Sequence, residues 1–369
     1  MIQSYALLEI FNVDPSLKQI QTDALKHKKI YLDTNILIPI LFEENKDFEI
    51  LTSILKTTNQ LGAKLLITNL TKREFERWLE STRSSYLNFK QIPQKFRDAF
   101  KDEHINAPFF DTYNKKSTEN PRLKINEFCR HYDNFLIILK DKFQIEMETE
   151  KLDPLMEDEN YEKLLDIILR ITPHKGKHVA SHDALNILNV KRQRIQQKVD
   201  EIGQSSWFLT TDTSLKKIEK KIFPDDEFPA SIKAKIWFQI ISPLMSPRLV
   251  ENSDGSKAFT KLLSMNFASS DSISEEDILN IISAFIEDND IKLDALKAIV
   301  GNSHIRETFR NIRQSHYDKN EEDEEKWKKL GMSQITKTLR VNHDTETVDL
   351  KKALNNFSTQ LKSQESRMK

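Results

Sequence analysis

The stretch KKIYLDTNILIPI, residues 28–40, decides the predicted fold. Its apolar start predicts a buried strand over 29–33, and the strand ends abruptly in Asp33, Thr34 and Asn35 before apolar residues resume. A carboxylate, a hydroxyl and an amide cost free energy when they are buried without partners. Ligands of open parallel sheets bind beyond the carboxyl ends of the strands. We therefore expect these three side chains to belong to a functional site at that edge of a sheet.

The composition indicates a globular protein and leaves nucleic-acid binding open. The chain has 369 residues, of which 38% are hydrophobic and 31% charged, which is enough for two domains or one decorated domain. The 56 Lys and Arg residues balance 57 Asp and Glu residues, so only local patches can indicate a nucleic-acid site. The chain has only 6 glycines, which disfavours glycine-rich phosphate-binding loops.

Cysteine usage and hydropathy point to the cytoplasm. The single cysteine, Cys129, excludes an internal disulfide and fits a reducing compartment. The first residues lack the basic and apolar regions of a signal peptide, and no run of about 18 apolar residues predicts a membrane span. We therefore expect a cytoplasmic protein that does not contact a membrane.

Strands and helices alternate along the part of the chain that we expect to form the core. Predicted strands lie at 29–33, 63–68, 206–211 and 234–241, with amphipathic helices such as 48–60 between them. This alternation is typical of α/β winding. It predicts a Rossmann-like, mostly parallel sheet of four or five strands flanked by helices.

The rest of the chain reads as mainly helical. We expect an N-terminal helical segment at 1–28, an α/β domain at 29–245 that carries a helical insertion at about 90–172, and an all-helical C-terminal region at 246–369. That last region includes a charge-dense linker at about 317–345, which is either mobile or a solvated helix. A terminal amphipathic helix follows, with an apolar stripe formed by Leu350, Leu354, Phe357 and Leu361.

Four carboxylates are predicted at one edge of the sheet. Asp33 ends the first strand, Glu74 and Asp183 lie in the first turns of two helices, and Asp212 ends the strand at 206–211. Singly, each has a local explanation: Thr71 with Glu74 fits a capping box, and the aspartates suit a turn, a helix dipole or an N-cap. Together they would repel one another without a cation, so they predict a site for Mg²⁺ or Mn²⁺. Such a site suits hydrolysis of a phosphodiester by a metal-activated water.

Four segments resemble, in order, the motif blocks of the PIN-domain nucleases: IYLDTNILI, LLITNLTKREF, HDALNIL and WFLTTDTSL. The resemblance implies a metal-dependent endoribonuclease that leaves 5′-phosphate and 3′-hydroxyl ends. It makes Asp33, Glu74, Asp183 and Asp212 the catalytic and metal-binding acids, and Thr34, Asn35 and Thr211 their supporting residues. It covers roughly a third of the chain. The stretch between Glu74 and Asp183 is longer than in compact members of the family, and the region after about 245 is extra.

Two other functions stay open at this point. A flap-type nuclease of related fold would cut single-stranded DNA, and the insertion would form an arch over the substrate. A PIN-like scaffold would bind RNA without cutting it, although the presence of all four acids argues against a degenerate site.

Basic residues follow the acids along the chain and suggest a path for a nucleic-acid backbone. The residues of this predicted path are Lys175, Lys177, His182, Lys191, Arg192, Arg194, Lys216 and Lys217. The alternative is that these side chains lie on solvent-exposed helix faces and bind nothing. His174, His178 and His182 recur at helical spacing, but Pro173 and Gly176 argue against one continuous helix and hence against a zinc triad.

A free ribonuclease endangers its host, so we expect the enzyme to be regulated. The apolar C-terminal stripe suggests that residues 250–369 self-associate or bind a controlling protein, as in toxins or antiviral-defence effectors.

Overall fold

The described part of the chain is a mixture of helices and parallel strands. The computed structural model describes residues 25–26, 28–45, 47–91, 105–106, 108–172, 175–196, 204–241, 273–285, 293–317 and 321–341. Within these ranges the strands are β1 (Lys29–Leu32), β2 (Lys64–Ile67), β3 (Ile105–Asn106), β4 (Glu146–Met147), β5 (Ser206–Thr210), β6 (Ser231–Lys233) and β7 (Ile273–Ser274). The predicted tail helix with Leu350 and Leu361 lies outside the described residues.

Fourteen α-helices lie in the described ranges. In chain order they are α1 (Thr34–Leu41), α2 (Phe48–Gln60), α3 (Asn69–Gln91), α4 (Pro108–Glu119), α5 (Ile125–Asp133), α6 (Phe135–Phe143), α7 (Tyr161–Ile171), α8 (Lys177–Gln196), α9 (Leu215–Ile222), α10 (Ala234–Ile241), α11 (Glu275–Phe285), α12 (Leu293–Gly301), α13 (Ser303–Tyr317) and α14 (Glu321–Val341). None of these helices combines the length and the apolar composition that crossing a membrane requires.

The chain divides into two compact units. The first comprises Met1–Leu79, Asp111–Thr172 and Lys177–Phe267, and the second comprises Glu80–Phe110, Pro173–Gly176 and Ala268–Lys369. In the second unit β3 and β7 form a two-stranded parallel sheet, and Asp277, which is 1% exposed, pairs with Arg310. The expectation of an all-helical C-terminal region is therefore wrong in one detail, because a two-residue strand carries no periodic signal. The charge-dense stretch forms the helix α14 over most of its length.

The first unit contains a five-stranded sheet in the order β4-β2-β1-β5-β6, and all its pairs are parallel. The predicted strands at 29–33, 63–68 and 206–211 are confirmed to within two residues at their ends. β4 lies in the segment that was expected to be a purely helical insertion. Because all five strands run in one direction, their carboxyl ends share one edge of the sheet.

Helices cover both faces of this sheet. On one face, Tyr31 and Phe208 are fully buried and pack in a cluster with residues of α7 and α8. Side chains alternate along a strand, so Trp207 faces the other side, where its ring lies 5.4 Å from that of Trp237 in α10. The Trp237 indole also donates to the Thr58 hydroxyl in α2 at 2.8 Å. The structure therefore confirms an α/β fold with a helix-covered parallel sheet.

The strand predicted at 234–241 is wrong, because this segment forms α10. Its buried positions are Ala234, Trp237, Phe238 and Ile241. This spacing of three, four and seven residues is that of one helix face. The fifth strand of the sheet lies just before it, at β6.

A buried carboxylate and a half-buried guanidinium fix the β6 edge. Glu219, in α9, accepts hydrogen bonds from the backbone N–H groups of Ala230 and Ser231. Arg194, in α8, donates to the carbonyl oxygens of Ser206, Phe228 and Pro229, each at 3.0 Å. The guanidinium thus joins the start of β5 to the turn before β6. Burial lowers its pKa to about 10, opposed by Glu219 and Asp226.

We expect Arg194→Lys to lower the free energy of unfolding by about 1–3 kcal/mol, because an ammonium group cannot reach three carbonyl oxygens at once and leaves partly buried acceptors unpaired. Chemical denaturation followed by circular dichroism measures the change. Arg170→Lys is the control, since Arg170 is 70% exposed and pairs with Asp166 one helical turn away. Equal stabilities of the two variants would contradict a structural role for Arg194.

Candidate metal centre

Three side chains from different elements meet at the carboxyl edge of the sheet. Asp33 follows β1 directly, Glu74 comes from α3 and His182 from α8. One ligand atom of each lies within 4.8 Å of the others. Asp33 is 5% exposed and His182 is 3% exposed, whereas Glu74 is half-buried. Two carboxylates and an imidazole are thus held together with little water around them.

Asp33 is held by the end of β5. The Thr210 hydroxyl and the Asn35 amide both donate to Asp33 Oδ2 at 2.6 Å. The Asn35 amide also contacts the Thr210 hydroxyl at 3.0 Å, and its Oδ1 accepts from the backbone N–H of Thr211 at 2.9 Å. The polar residues after β1 therefore pair with β5, and this pairing offsets the cost of burying them.

Glu74 points at the same site, although its position in the helix differs from the prediction. α3 begins at Asn69, so Glu74 lies in the second turn of the helix. Thr68, and not Thr71, accepts the hydrogen bond from the helix start, since its hydroxyl receives the Thr71 N–H at 3.3 Å. The capping-box explanation for Glu74 is therefore wrong. Glu74 Oε2 instead accepts from the Thr34 hydroxyl and lies 3.3 Å from His182 Nδ1.

Asp183 and Asp212 also lie next to this group. α8 begins at Lys177, so Asp183 is in its second turn rather than its first; it is 3% exposed, and its Oδ1 lies 3.2 Å from His182 Nδ1. Asp212 is linked through Thr210, whose hydroxyl oxygen accepts the Asp212 backbone N–H at 3.0 Å. Its Oδ1 accepts from the backbone and hydroxyl of Ser214, in a turn before α9.

His182 is the member of the cluster whose role the sequence did not predict. It was expected to contact phosphate beside Asp183; in the structure its ring is buried. Its Nε2 lies 3.1 Å from the Thr71 hydroxyl, which in turn lies 3.0 Å from the Thr68 hydroxyl. Asn186 closes the network, because it donates to the His182 carbonyl and accepts from Thr68. The sequence contained one signal for this role. His182 is next to Asp183 in the chain, so a helix that places Asp183 at the site also places His182 near it.

The supporting residues agree in part with the prediction. Thr34 and Asn35 contact Glu74 and Asp33 with their side chains, whereas Thr211 contributes its backbone N–H. The hydroxyl that reaches Asp33 belongs to Thr210. Strand alternation was the available signal, since residue 210 shares the face of the buried Phe208.

The predicted basic path is only partly open to solvent. Lys177, Lys216 and Lys217 are exposed, and Lys175 is half-buried. Lys191 pairs with Asp226 and Arg192 pairs with Glu150, while Arg194 is committed to backbone carbonyls. The exposed lysines thus remain as candidate phosphate contacts. In the histidine series, His178 is exposed on α8, and His174 lies outside the described residues.

The charges of the cluster shift the acidity of its members. Burial and, after it, the charge of Asp183 raise the pKa of Asp33 to about 7, against the opposing effect of His182. Burial alone would lower the pKa of His182, but the carboxylates of Glu74, Asp183 and Asp33 outweigh it and raise this pKa to about 9. The pocket therefore has more negative charge than His182 can neutralise.

This donor set fits a hard divalent cation. Carboxylate oxygens suit Mg²⁺ and Mn²⁺, and an imidazole nitrogen shifts the preference towards Mn²⁺. Asp33, Glu74 and His182 could hold the ion, with Asp183 beside them. A cation would relieve the repulsion that raises the pKa of Asp33.

No protein-family model, no curated protein and no solved structure matches the chain.

We expect Asp33→Asn to stabilise the metal-free protein at pH 8 by about 1–3 kcal/mol, and by less than half as much near pH 5. The folded-state pKa of Asp33 is raised from 3.8 to about 7, so the native state binds this proton more tightly than the unfolded chain. Stability is therefore lost as the pH rises through about 7, and the neutral amide avoids that loss. Thermal unfolding in EDTA at both pH values measures the difference.

Glu76→Gln serves as the control for this comparison. Glu76 lies in the same helix as Glu74 but is exposed and pairs with Lys72 at 3.6 Å. We expect its effect on the unfolding temperature to be small and the same at both pH values. A loss of stability in Asp33→Asn at pH 8 would contradict the charge balance described above.

Proposed function

We propose that the chain is a metal-dependent endoribonuclease whose active site is the cluster of Asp33, Glu74, His182 and Asp183. The observation that carries the proposal is the meeting of these side chains, which are far apart in the sequence, at the carboxyl edge of a parallel sheet. Sites of α/β proteins form at this edge. Three of the four sequence blocks that resemble the PIN-domain nucleases supply the acids of this cluster, the fourth supplies Asp212, and the resemblance favours RNA as the substrate.

A bound Mg²⁺ or Mn²⁺ would supply positive charge beside phosphate oxygens and a lower pKa for a coordinated water. The residues of the chain orient the ligands. Thr210 and Asn35 fix Asp33, and Thr34 fixes Glu74. Thr71 lies beside His182 Nε2, which leaves Nδ1 directed at the carboxylates. Such outer contacts set the orientation of metal ligands and contribute to their affinity.

Asp212 has a supporting place in this arrangement. Its Oδ1 accepts a hydrogen bond from the backbone N–H of Ser214. Its own backbone N–H donates to the Thr210 hydroxyl, which also contacts Asp33. We therefore expect Asp212→Asn to reduce activity less than Asp33→Asn does. Outer-shell changes cost about 10- to 100-fold in affinity or activity, and loss of a direct ligand costs more.

The deciding experiment is cleavage of single-stranded RNA and single-stranded DNA with Mn²⁺, with Mg²⁺ or with EDTA. We expect RNA cleavage by the wild type that EDTA abolishes and that Mn²⁺ supports better than Mg²⁺. Asp33→Asn and Glu74→Gln should each lower the rate by about 100-fold or more, because each removes a negatively charged ligand. Glu76→Gln, on the outer face of the same helix, should cut at the wild-type rate.

Other outcomes would redirect the proposal. Cleavage of DNA alone would favour the flap-type nuclease. An absence of cleavage together with Mn²⁺ binding by calorimetry, lost in Asp33→Asn, would indicate an enzyme that needs a partner. An absence of both would favour the scaffold function.

A further inference from the structure

A cavity of about 500 Å³ lies beside the cluster in the first unit. Its walls come from β5, β6, α10 and the turn between α9 and β6. Its volume falls within the range of about 300–1,000 Å³ that small-molecule sites occupy. The proposed cleavage chemistry does not account for this space.

Aromatic rings form much of the cavity wall. Trp207 is half-buried and Trp237 is fully buried, and the two rings lie 5.4 Å apart. Phe228, on the turn before β6, is 48% exposed and presents its ring to the cavity. Ile236 is 36% exposed on the same wall. An apolar, flat ligand would cover surface that is otherwise left to water.

The charges around the cavity favour an anion attached to that ligand. Lys28, Lys216 and Lys233 line the cavity, against the two acids Asp212 and Glu227. Lys216 is exposed and lies one turn after the active-site edge of β5. Lys216 is also one of the residues that the sequence predicts to contact phosphate. Apolar walls with lysines among them suit an aromatic base that carries a phosphate.

The cavity and the candidate metal centre meet at the end of β5. Thr210 and Asp212 both line it, and the Thr210 hydroxyl donates to Asp33 at 2.6 Å. A nucleotide whose phosphate lies at Asp33 therefore has this cavity within reach of its own base or of the next one along the strand.

We propose that the cavity takes one unpaired nucleobase of a single-stranded nucleic acid, next to the phosphodiester that the cluster cleaves. This inference rests on the proposed nuclease function. The base lies against the Trp207 and Phe228 rings, and Lys216 contacts a phosphate. A duplex cannot enter, because its bases are stacked and paired, so the cavity selects single strands or loops.

The test measures RNA binding without cleavage. The full-length Asp33→Asn chain is titrated in EDTA into fluorescein-labelled single-stranded RNA, and into the same oligomer with one abasic residue placed at each position in turn. Because one base–aromatic stack is worth about 10-fold in affinity, we expect about a 10-fold loss at one abasic position. Phe228→Ala should lose about as much on the intact oligomer and should no longer distinguish the abasic one.

Two further variants isolate the cavity. Ile137→Ala removes another exposed apolar side chain, 59% exposed on α6 and not part of the cavity wall, and should bind as the parent does. Trp207→Phe keeps an aromatic ring in the wall but removes its indole fluorescence. Because Trp237 still lines the cavity, quenching of tryptophan emission on RNA binding should be weaker in this variant than in the parent, while the affinity is kept.

Equal affinity for the intact and all abasic oligomers, or absence of RNA binding, would overturn the proposal. So would a Phe228→Ala variant that still distinguishes them. A change of sedimentation mass in Phe228→Ala, with no abasic effect, would instead assign the cavity to contact between copies. The binding test is independent of the nuclease proposal, because it uses a variant that is not expected to cleave RNA. If the nuclease proposal is wrong, the cleavage assay alone will show it.

Discussion

The repulsion between buried carboxylates at one edge of the sheet is the constraint on which the site depends. Asp33 and Asp183 are each at most 5% exposed, and the charge of each disfavours that of the other. Water cannot screen them, so the protein must supply the counter-charge and the hydrogen bonds itself. Thr210 and Asn35 do this for Asp33, and His182 does it for the group. Negative charge remains in excess at the cluster, and a divalent cation would neutralise it.

His182 gives this arrangement a second state. Protonated, it is an internal cation between Glu74 and Asp183, and the metal-free cluster is partly neutralised. Neutral, with its Nε2 beside Thr71, it offers Nδ1 to an ion. Proton and metal would therefore compete for one place, and binding of an ion would release the proton, as at other sites with titratable ligands. The hydrogen bonds from Thr68 and Asn186 keep the ring and its helix in place in both states.

Much of the fold could be predicted because it depends on local pattern. The run before Asp33 and its equivalents at β2 and β5 identified three strands, and the parallel alternation placed the acids at one edge. Contacts between distant residues could not be predicted in this way. Strand alternation favours Thr210 over Thr211 at Asp33, and the adjacency to Asp183 draws attention to His182, but the hydrogen bonds that these side chains make are visible only in the folded chain. Arg194 was misjudged for the same reason, since only the folded chain shows that its guanidinium binds three carbonyls. The 234–241 segment was misjudged because a short apolar run suits either a strand or a buried helix.

β5 couples the metal centre to the neighbouring cavity. Along five residues it places Trp207 on the cavity wall and Thr210 against Asp33, and Arg194 fixes its start to the turn that carries Phe228. A shift of this strand by one residue would exchange its two faces and would disrupt both features at once. The position of Asp33 and the shape of the neighbouring cavity thus both depend on the register of β5. This gives a physical reason why the β6 edge is fixed by directional hydrogen bonds to the buried Glu219 and from the half-buried Arg194, where apolar packing would leave the strand free to slide.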